Sequence, residues 1–353
     1  FTLKLQAMKS HIIILLYIGV ACVSGQINRH EYPTPSAVYN QSKVDVKQDD
    51  HHLPEYYGYE RPCPNAEDIA PCVCTYDSGD NSMDLECSSV ESEEQLKQIF
   101  KADFPFKNFK QFHLHDNSNM KVLEEGVFNG ISFEIIKIQH NNLEIIETQA
   151  LDSCYATARE MRLYSNNITS FPFGELSQFS KLSVFDISDN PLSVIPVDAF
   201  HGLITLEDLS ITLNNADFVG TFQDLPKLRR IWLDHNYITT IPAHFINTSS
   251  SDLSSIGLDG NNIVSVEPDA FDIVDGLDIY MAGNSLSTLE EATWRSYLEA
   301  GGLLWAYDNP LVCGCDIAWL FGEDQLLEQV NDYTTCTDGQ FLQDLDPTIF
   351  DNC

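Results

Sequence analysis

Short segments in which apolar and polar residues alternate recur along the chain, and each is followed by an asparagine. In LRRIWLDHNYITTIP, residues 228–242, Ile231 and Leu233 flank Trp232, and Asn236 follows. Apolar residues at every second position are typical of a strand with one buried face. The stretch therefore predicts a short strand whose core face carries Ile231 and Leu233, while Trp232 points away from the core.

The same pattern returns at a nearly constant period. The aligned asparagines lie 22 to 25 residues apart and are Asn117, Asn141, Asn166, Asn190, Asn214, Asn236, Asn261, Asn284 and Asn309. Two apolar residues precede each of them at fixed offsets, and an apolar residue usually follows two positions later. This is the leucine-rich repeat, L-x-x-L-x-L-x-x-N-x-L, in nine copies over residues 109–312. It predicts an α/β leucine-rich repeat solenoid, a horseshoe with a parallel sheet on its concave side.

The column of asparagines is expected to be structural. The chain turns sharply after each strand and leaves backbone groups inside the solenoid without partners in the sheet. An asparagine amide carries both donors and an acceptor and can satisfy them in every repeat. We expect the loss of one such side chain to cost roughly 1–3 kcal/mol.

The N-terminal residues do not follow the repeat. Met8 and Lys9 precede an apolar run, and small residues follow as far as Gly25. This order predicts that residues 1–25 are upstream residues and a secretory signal peptide. The alternative is a membrane anchor, but the run is short for a membrane span. Residues 26–62 are rich in proline and polar residues without apolar periodicity, which predicts a flexible linker. We therefore expect a secreted, extracellular protein.

The net negative charge of the chain excludes some classes of binding partner. The 353 residues include 19 Lys and Arg against 53 Asp and Glu, a formal net charge of −34. A phosphate backbone and an anionic membrane surface would both be repelled by this charge. We predict neither nucleic acid nor a membrane surface as a partner.

Cysteines cluster at the two ends of the repeats, where a solenoid needs caps to cover its open core. Residues 63–108 carry four cysteines and predict an N-terminal cysteine cap with a short helix, and residues 313–353 carry four more and predict a C-terminal cysteine cap. Cys154 is alone, at an offset that other repeats fill with apolar residues. We expect it to stay free and buried; the alternative is a disulfide between two chains.

Specific motifs resemble a known family. NPLVCGCDIAWL resembles the C-terminal flanking cap of extracellular leucine-rich repeat proteins, and Cys63-Pro64 with Cys72-Val73-Cys74 resembles the N-terminal one. Together with LEEGVFNGISFEIIKIQHNNLEIIETQAL, they make residues 63–353 similar to a group of secreted arthropod leucine-rich repeat proteins. The group is named for the non-catalytic subunit of oplophorus-luciferin 2-monooxygenase. In that enzyme the light-emitting chemistry belongs to a separate small subunit.

The resemblance implies a disulfide pattern and a role. The implied pairs are Cys63–Cys74, Cys72–Cys87, Cys313–Cys336 and Cys315–Cys353. The implied role is that of a secreted protein-binding accessory subunit of a luciferase- or monooxygenase-like complex, with a small catalytic subunit as one candidate partner. The alternative function is extracellular adhesion or innate immune recognition.

Motifs for catalysis are absent from the sequence. G-x-S-x-G, H-E-x-x-H, the P-loop and G-x-G-x-x-G after a strand do not occur, so we predict a non-catalytic protein without a cofactor. His113, His115 and His140 form one candidate metal trio, and Asp116 is the only carboxylate expected beside it. A polar concave surface is the favoured interpretation, and no metal site is predicted.

The outward-facing positions of the later strands predict a binding surface. Large aromatic residues and arginine most often dominate the energy of an interface. The candidate partner-binding residues are Arg229, Arg230, Trp232, Asp234, Tyr280, Trp305 and Tyr307. For Trp305 and Tyr307, packing under the C-terminal cap is an equal alternative.

Three N-x-S/T sequons are candidates for glycosylation. We predict glycans on Asn167 and Asn247, while the state of Asn40 depends on the fate of the linker.

Overall fold

A computed structural model describes residues 62–212, 221–271, 275–322 and 326–353. The predicted signal peptide, residues 26–61 of the predicted linker with Asn40, and the ladder residue Asn214 lie outside these residues. Within the described parts of the chain, no helix combines the length and the apolar composition needed to cross a membrane.

Eleven strands of the described residues form one continuous sheet. Strands β1 (Val73–Asp77) and β2 (Ser82–Glu86) form an antiparallel hairpin, and β2 then pairs in parallel with β3. Nine parallel strands follow in chain order, one for each predicted repeat: β3 (Asn108–His115), β5 (Ser132–Gln139), β7 (Glu160–Arg162), β8 (Val184–Asp186), β9 (Asp208–Ser210), β10 (Arg230–Trp232), β12 (Ser255–Gly257), β14 (Asp278–Tyr280) and β15 (Leu303–Trp305). The predicted leucine-rich repeat solenoid is confirmed.

Four short strands form two further parallel pairs. They are β4 (Val122–Leu123) with β6 (Ile145–Ile146), and β11 (Thr240–Ile241) with β13 (Ser265–Val266). The core lies between the main sheet and the rest of each repeat. Ile231 and Leu233 are both fully buried, as the alternation predicts. Phe128, from outside the sheet, packs edge-on against Phe112 of β3 with ring centroids 5.1 Å apart.

The asparagines connect successive repeats. Asn261 Oδ1 accepts a hydrogen bond from the Ile238 N–H at 3.2 Å, and its Nδ2 donates to the carbonyls of Leu233 and Leu258 at 3.0 Å each. Asn190, Asn284 and Asn309 repeat this arrangement, so each of these amides bonds to its own repeat and to the preceding one. Asn166 departs from this pattern, because its buried Oδ1 has no hydrogen-bond partner among the described residues.

Disulfides and short helices close the two ends. The four disulfides of the described residues are the pairs that the resemblance implies: Cys63–Cys74, Cys72–Cys87, Cys313–Cys336 and Cys315–Cys353. At the N-terminal end, a helix Ala66–Ile69 precedes a helix Glu93–Ile99. The second helix begins after Ser92, whose Oγ accepts the Gln95 N–H at 3.2 Å, a preferred way to cap a helix start.

The C-terminal cap contains a 3₁₀ helix over Cys315–Phe321, within the NPLVCGCDIAWL motif and just after it. An α-helix, Glu291–Glu299, lies earlier in the chain and was not expected from the repeat pattern. Cys154 is fully buried and free, and this burial raises the pKa of its thiol to about 11. A thiol in this state is a weak nucleophile at neutral pH.

Candidate functional site

The strands of repeats six to nine align their outward residues in rows across the sheet. The register places Trp232 of β10 beside Gly257 of β12, then Tyr280 of β14 and Trp305 of β15. We call these four residues the ring row. Two positions further along the chain from each of these lie Asp234, Asp259, Ala282 and Tyr307, which we call the acid row. The sheet therefore brings together five of the seven predicted partner-binding residues, namely Trp232, Asp234, Tyr280, Trp305 and Tyr307.

Aromatic rings contact each other along the ring row. The ring centroids of Trp232 and Tyr280 lie 5.8 Å apart, and those of Tyr280 and Trp305 lie 5.3 Å apart with their planes 19° from parallel. Trp232 and Tyr280 come from strands that are not neighbours, and Gly257 lies between them. A Cβ on Gly257 would approach Trp232 Cε3 to 2.4 Å, so the missing side chain makes room for the indole. All three rings are half-buried and face away from the core.

The acid row holds two carboxyl groups, each just past the end of one of the adjacent strands β10 and β12. The Asp259 N–H donates to Asp234 Oδ1 at 2.8 Å, and the Ala282 N–H donates to Asp259 Oδ1 at 2.6 Å. Burial, together with the negative charge of Asp259, raises the pKa of Asp234 to about 7. Burial and the carboxylates of Asp259, Asp308 and Asp234 also raise the pKa of Tyr307.

Negative charge surrounds the aromatic rings on both sides. Asp278 lies on β14 two residues before Tyr280, on the opposite side of the ring row from Asp259. Burial and the charges of these two aspartates raise the pKa of Tyr280. The surface of repeats eight and nine is therefore aromatic and anionic together.

The two predicted arginines lie at the start of β10 and are exposed. Arg230 pairs with Asp208 of β9, and Arg229 Nη1 lies 3.8 Å from Glu207 Oε2. Their positive charges are therefore compensated by carboxylates of the preceding repeat. Neither arginine contributes an uncompensated positive charge to the surface.

Trp305 belongs to the ring row, although the C-terminal segment lies next to its strand. Val330 pairs with Leu304 of β15, and the Asn331 N–H donates to the Leu304 carbonyl at 2.9 Å. The cap tryptophan, Trp319, instead donates its indole N–H to the Leu289 carbonyl at 3.0 Å. The ring of Trp305 stacks on Tyr280 of the preceding repeat.

The histidines of the early strands do not converge. His115 lies 3.3 Å from Glu86 Oε2 and 3.0 Å from Asp116 Oδ2, whereas His140 packs edge-on against Tyr164 at 5.0 Å. In the ranges that the structure describes, no three His, Cys, Asp or Glu side chains are arranged to hold a metal ion.

Three residues of the site were not singled out from the sequence. They are Gly257, Asp259 and Asp278. The signal was present, because Gly257 and Asp259 occupy in repeat seven the same offsets as Trp232 and Asp234 in repeat six. A glycine and an aspartate seen singly are ordinary residues of a solvated surface, and only the strand register reveals what they adjoin.

Comparison with known proteins places the chain in a family. Residues 180–238 match the leucine rich repeat. The chain is 33% identical over 317 residues to the oplophorus-luciferin 2-monooxygenase non-catalytic subunit of Oplophorus gracilirostris, covering 82% of this chain and 87% of that protein. The chain belongs to this leucine-rich repeat family. The resemblance found in the sequence and the prediction of a non-catalytic protein are thereby confirmed.

Other members of the leucine-rich repeat class are more distant from this chain. Keratocan of Gallus gallus is 24% identical over 52% of this chain and 53% of its own length. Among solved structures, human 5T4 aligns with a TM-score of 0.51 at 17% identity, covering 83% of this chain and 99% of that one. The TLR13–ssRNA13 complex aligns with a TM-score of 0.53 at 24% identity over 63% of this chain and 31% of that one. These two structures share the fold.

Proposed function

We propose that this member of the family is a secreted protein-binding subunit, and that it binds its partner through the ring row and acid row of repeats six to nine. The observation that carries the proposal is the contact between Trp232, Tyr280 and Trp305 on the outward face of the sheet. The core behind these strands is already filled by Ile231, Ile279 and Leu304, among other buried residues. Rings that the core does not need are typical of interface anchors.

The family supports a catalytic subunit as the partner. The relative in Oplophorus gracilirostris is named as the non-catalytic subunit of a monooxygenase. We propose that this chain likewise accompanies a catalytic subunit in an oxygenase-like complex. Four disulfides support an extracellular location, because such bonds persist in oxidising compartments.

Affinity capture from the source tissue, followed by mass spectrometry, tests the proposal and supplies the partner. Trp232→Ala is expected to weaken binding of the captured partner by about 2 kcal/mol, or roughly 30-fold, because it removes the ring that leans over Gly257 onto Tyr280. The matched control is Tyr237→Ala, which removes an aromatic residue of the same repeat that is 61% exposed outside the ring row.

The outcomes separate the candidate functions. Folding of each variant is checked by chemical denaturation, and Tyr237→Ala should bind as the wild type does. Equal binding by Trp232→Ala and the wild type would place the partner elsewhere. Capture of cell surfaces or glycans, without a stoichiometric soluble protein, would favour adhesion or immune recognition over the accessory role.

A further inference from the structure

The chemistry of the ring row and acid row specifies the partner more closely, and this step rests on the proposed function. We propose that the surface binds a lysine or arginine side chain of a protein partner, with its aliphatic stem on the ring row and its cationic head against the carboxylates of Asp234 and Asp259. The occupant is thus a basic segment of a protein.

The spacing of the two rows fits such a side chain. Asp234 follows Trp232 by two residues, just past the end of β10, and two residues of extended chain span about 7 Å. This distance matches the aliphatic stem of lysine or arginine, which covers apolar surface while the charge reaches a polar group. A guanidinium group also presents a fork of donors that suits carboxylate oxygens.

The acid row has an unfavourable arrangement that a cation would relieve. Asp234 and Asp259 follow the neighbouring strands β10 and β12. The Asp259 N–H donates to Asp234 Oδ1 at 2.8 Å, and two like charges this close together repel each other. Asp234 is half-buried, and the basic residue four positions before it, Arg230, is engaged with Asp208. A local arrangement that costs stability is expected mainly at functional sites.

The wider charge distribution also favours a basic occupant. Asp278 flanks the ring row on one side, and Asp234 and Asp259 flank it on the other. The whole chain carries a net charge of −34. An acidic segment or a phosphate group would be repelled at this surface, whereas complementary charge speeds association and selects the partner.

A pair of peptides tests the proposal on the folded protein. The probes are acetyl-Gly-Ser-Arg-Ser-Gly-amide and the same peptide with citrulline, which keeps the shape of arginine without its charge. The readout is the indole NMR signal of each of the four tryptophans during titration. The arginine peptide should shift the signals of Trp232 and Trp305, leave those of Trp294 and Trp319 in place, and bind at least about tenfold more tightly than the citrulline peptide.

Matched variants distinguish binding at the proposed site from non-specific attraction of a cationic peptide to an acidic protein. The double variant Asp234→Asn with Asp259→Asn keeps the oxygens that accept hydrogen bonds from the Asp259 and Ala282 N–H groups. It should bind the arginine peptide at least about tenfold more weakly than the wild type does. Glu125→Gln with Asp198→Asn removes the same charge from exposed positions and should change the affinity by less than about twofold. Equal binding of both peptides, or equal losses in both double variants, would overturn the proposal.

The two proposals fail separately. If Trp232→Ala abolishes partner binding while the peptides bind alike, the surface is the interface but does not bind a basic side chain. The captured partner could instead bind Trp232→Ala as tightly as the wild type, while the arginine peptide still shifts the Trp232 signal of the wild type. In that case the proposed location of the partner is wrong.

Discussion

At the scale of the residue, the carboxyl group of Asp234 gives the fold a pH dependence. Its pKa rises from an ordinary value of 3.8 to about 7, because the group is half-buried and faces Asp259, which follows β12. A raised pKa means that the folded state holds this proton more tightly than the unfolded state does. The stability that depends on this proton is present below about pH 4 and is lost as the pH rises through 7.

Asp234→Asn should therefore stabilise the protein at about pH 8, by a few kcal/mol at most. The gain should shrink as the pH falls below 7 and vanish well below pH 4, where the wild-type carboxyl group is protonated in both states. Chemical denaturation at several pH values measures the difference. Asp198→Asn, at an exposed position, is the control, and an equal pH dependence in both variants would contradict the assignment to Asp234.

At the scale of the element, the repeat combines one strand with one asparagine, and the asparagine can be tested directly. Asn261→Ala removes the acceptor for the Ile238 N–H and the donors for two carbonyls, which are buried. The free energy of unfolding should fall by roughly 1–3 kcal/mol, because the unpaired backbone groups stay out of water. Asn262→Ala, one position later and exposed, should change it by less than about 0.5 kcal/mol. Similar losses in both variants, measured by denaturant titration, would show that the column has no special role.

The sequence predicts the repeated element well because the alternation and the asparagine both act within one repeat. Ile231 and Leu233 are buried and Trp232 faces outward, as the period of two requires. Interactions between repeats are harder to predict, because they depend on register. The contact of Trp232 with Tyr280 passes over Gly257, and the pairing of Arg230 with Asp208 crosses from one strand to the next. In the sequence these partners are more than twenty residues apart.

At the scale of the whole molecule, both glycans that we predict would lie on the surface outside the ring row and acid row. Asn167 and Thr169 of its sequon are exposed, whereas Asn247 is half-buried and Thr248 Oγ1 donates to the Leu225 carbonyl at 3.3 Å. Protein from a eukaryotic secretory host should lose mass on glycosidase treatment. Thr169→Ala and Ser249→Ala should each remove one glycan. An unchanged mass in the wild type would refute both sites.

The hairpin at the start of the main sheet has a consequence for how copies of the molecule meet. An outermost strand with free backbone groups is a template on which further chains can add and build fibres. Strand β1 runs opposite to the ten strands beyond it, and the Cys63–Cys74 disulfide ties its second residue to the preceding segment. At the other end, the Val330 segment already pairs with β15. A second molecule therefore cannot extend the parallel ladder at β1 in the register of the repeats, and the outer side of β15 is already engaged. The same geometry that ends the sheet opposes its polymerisation.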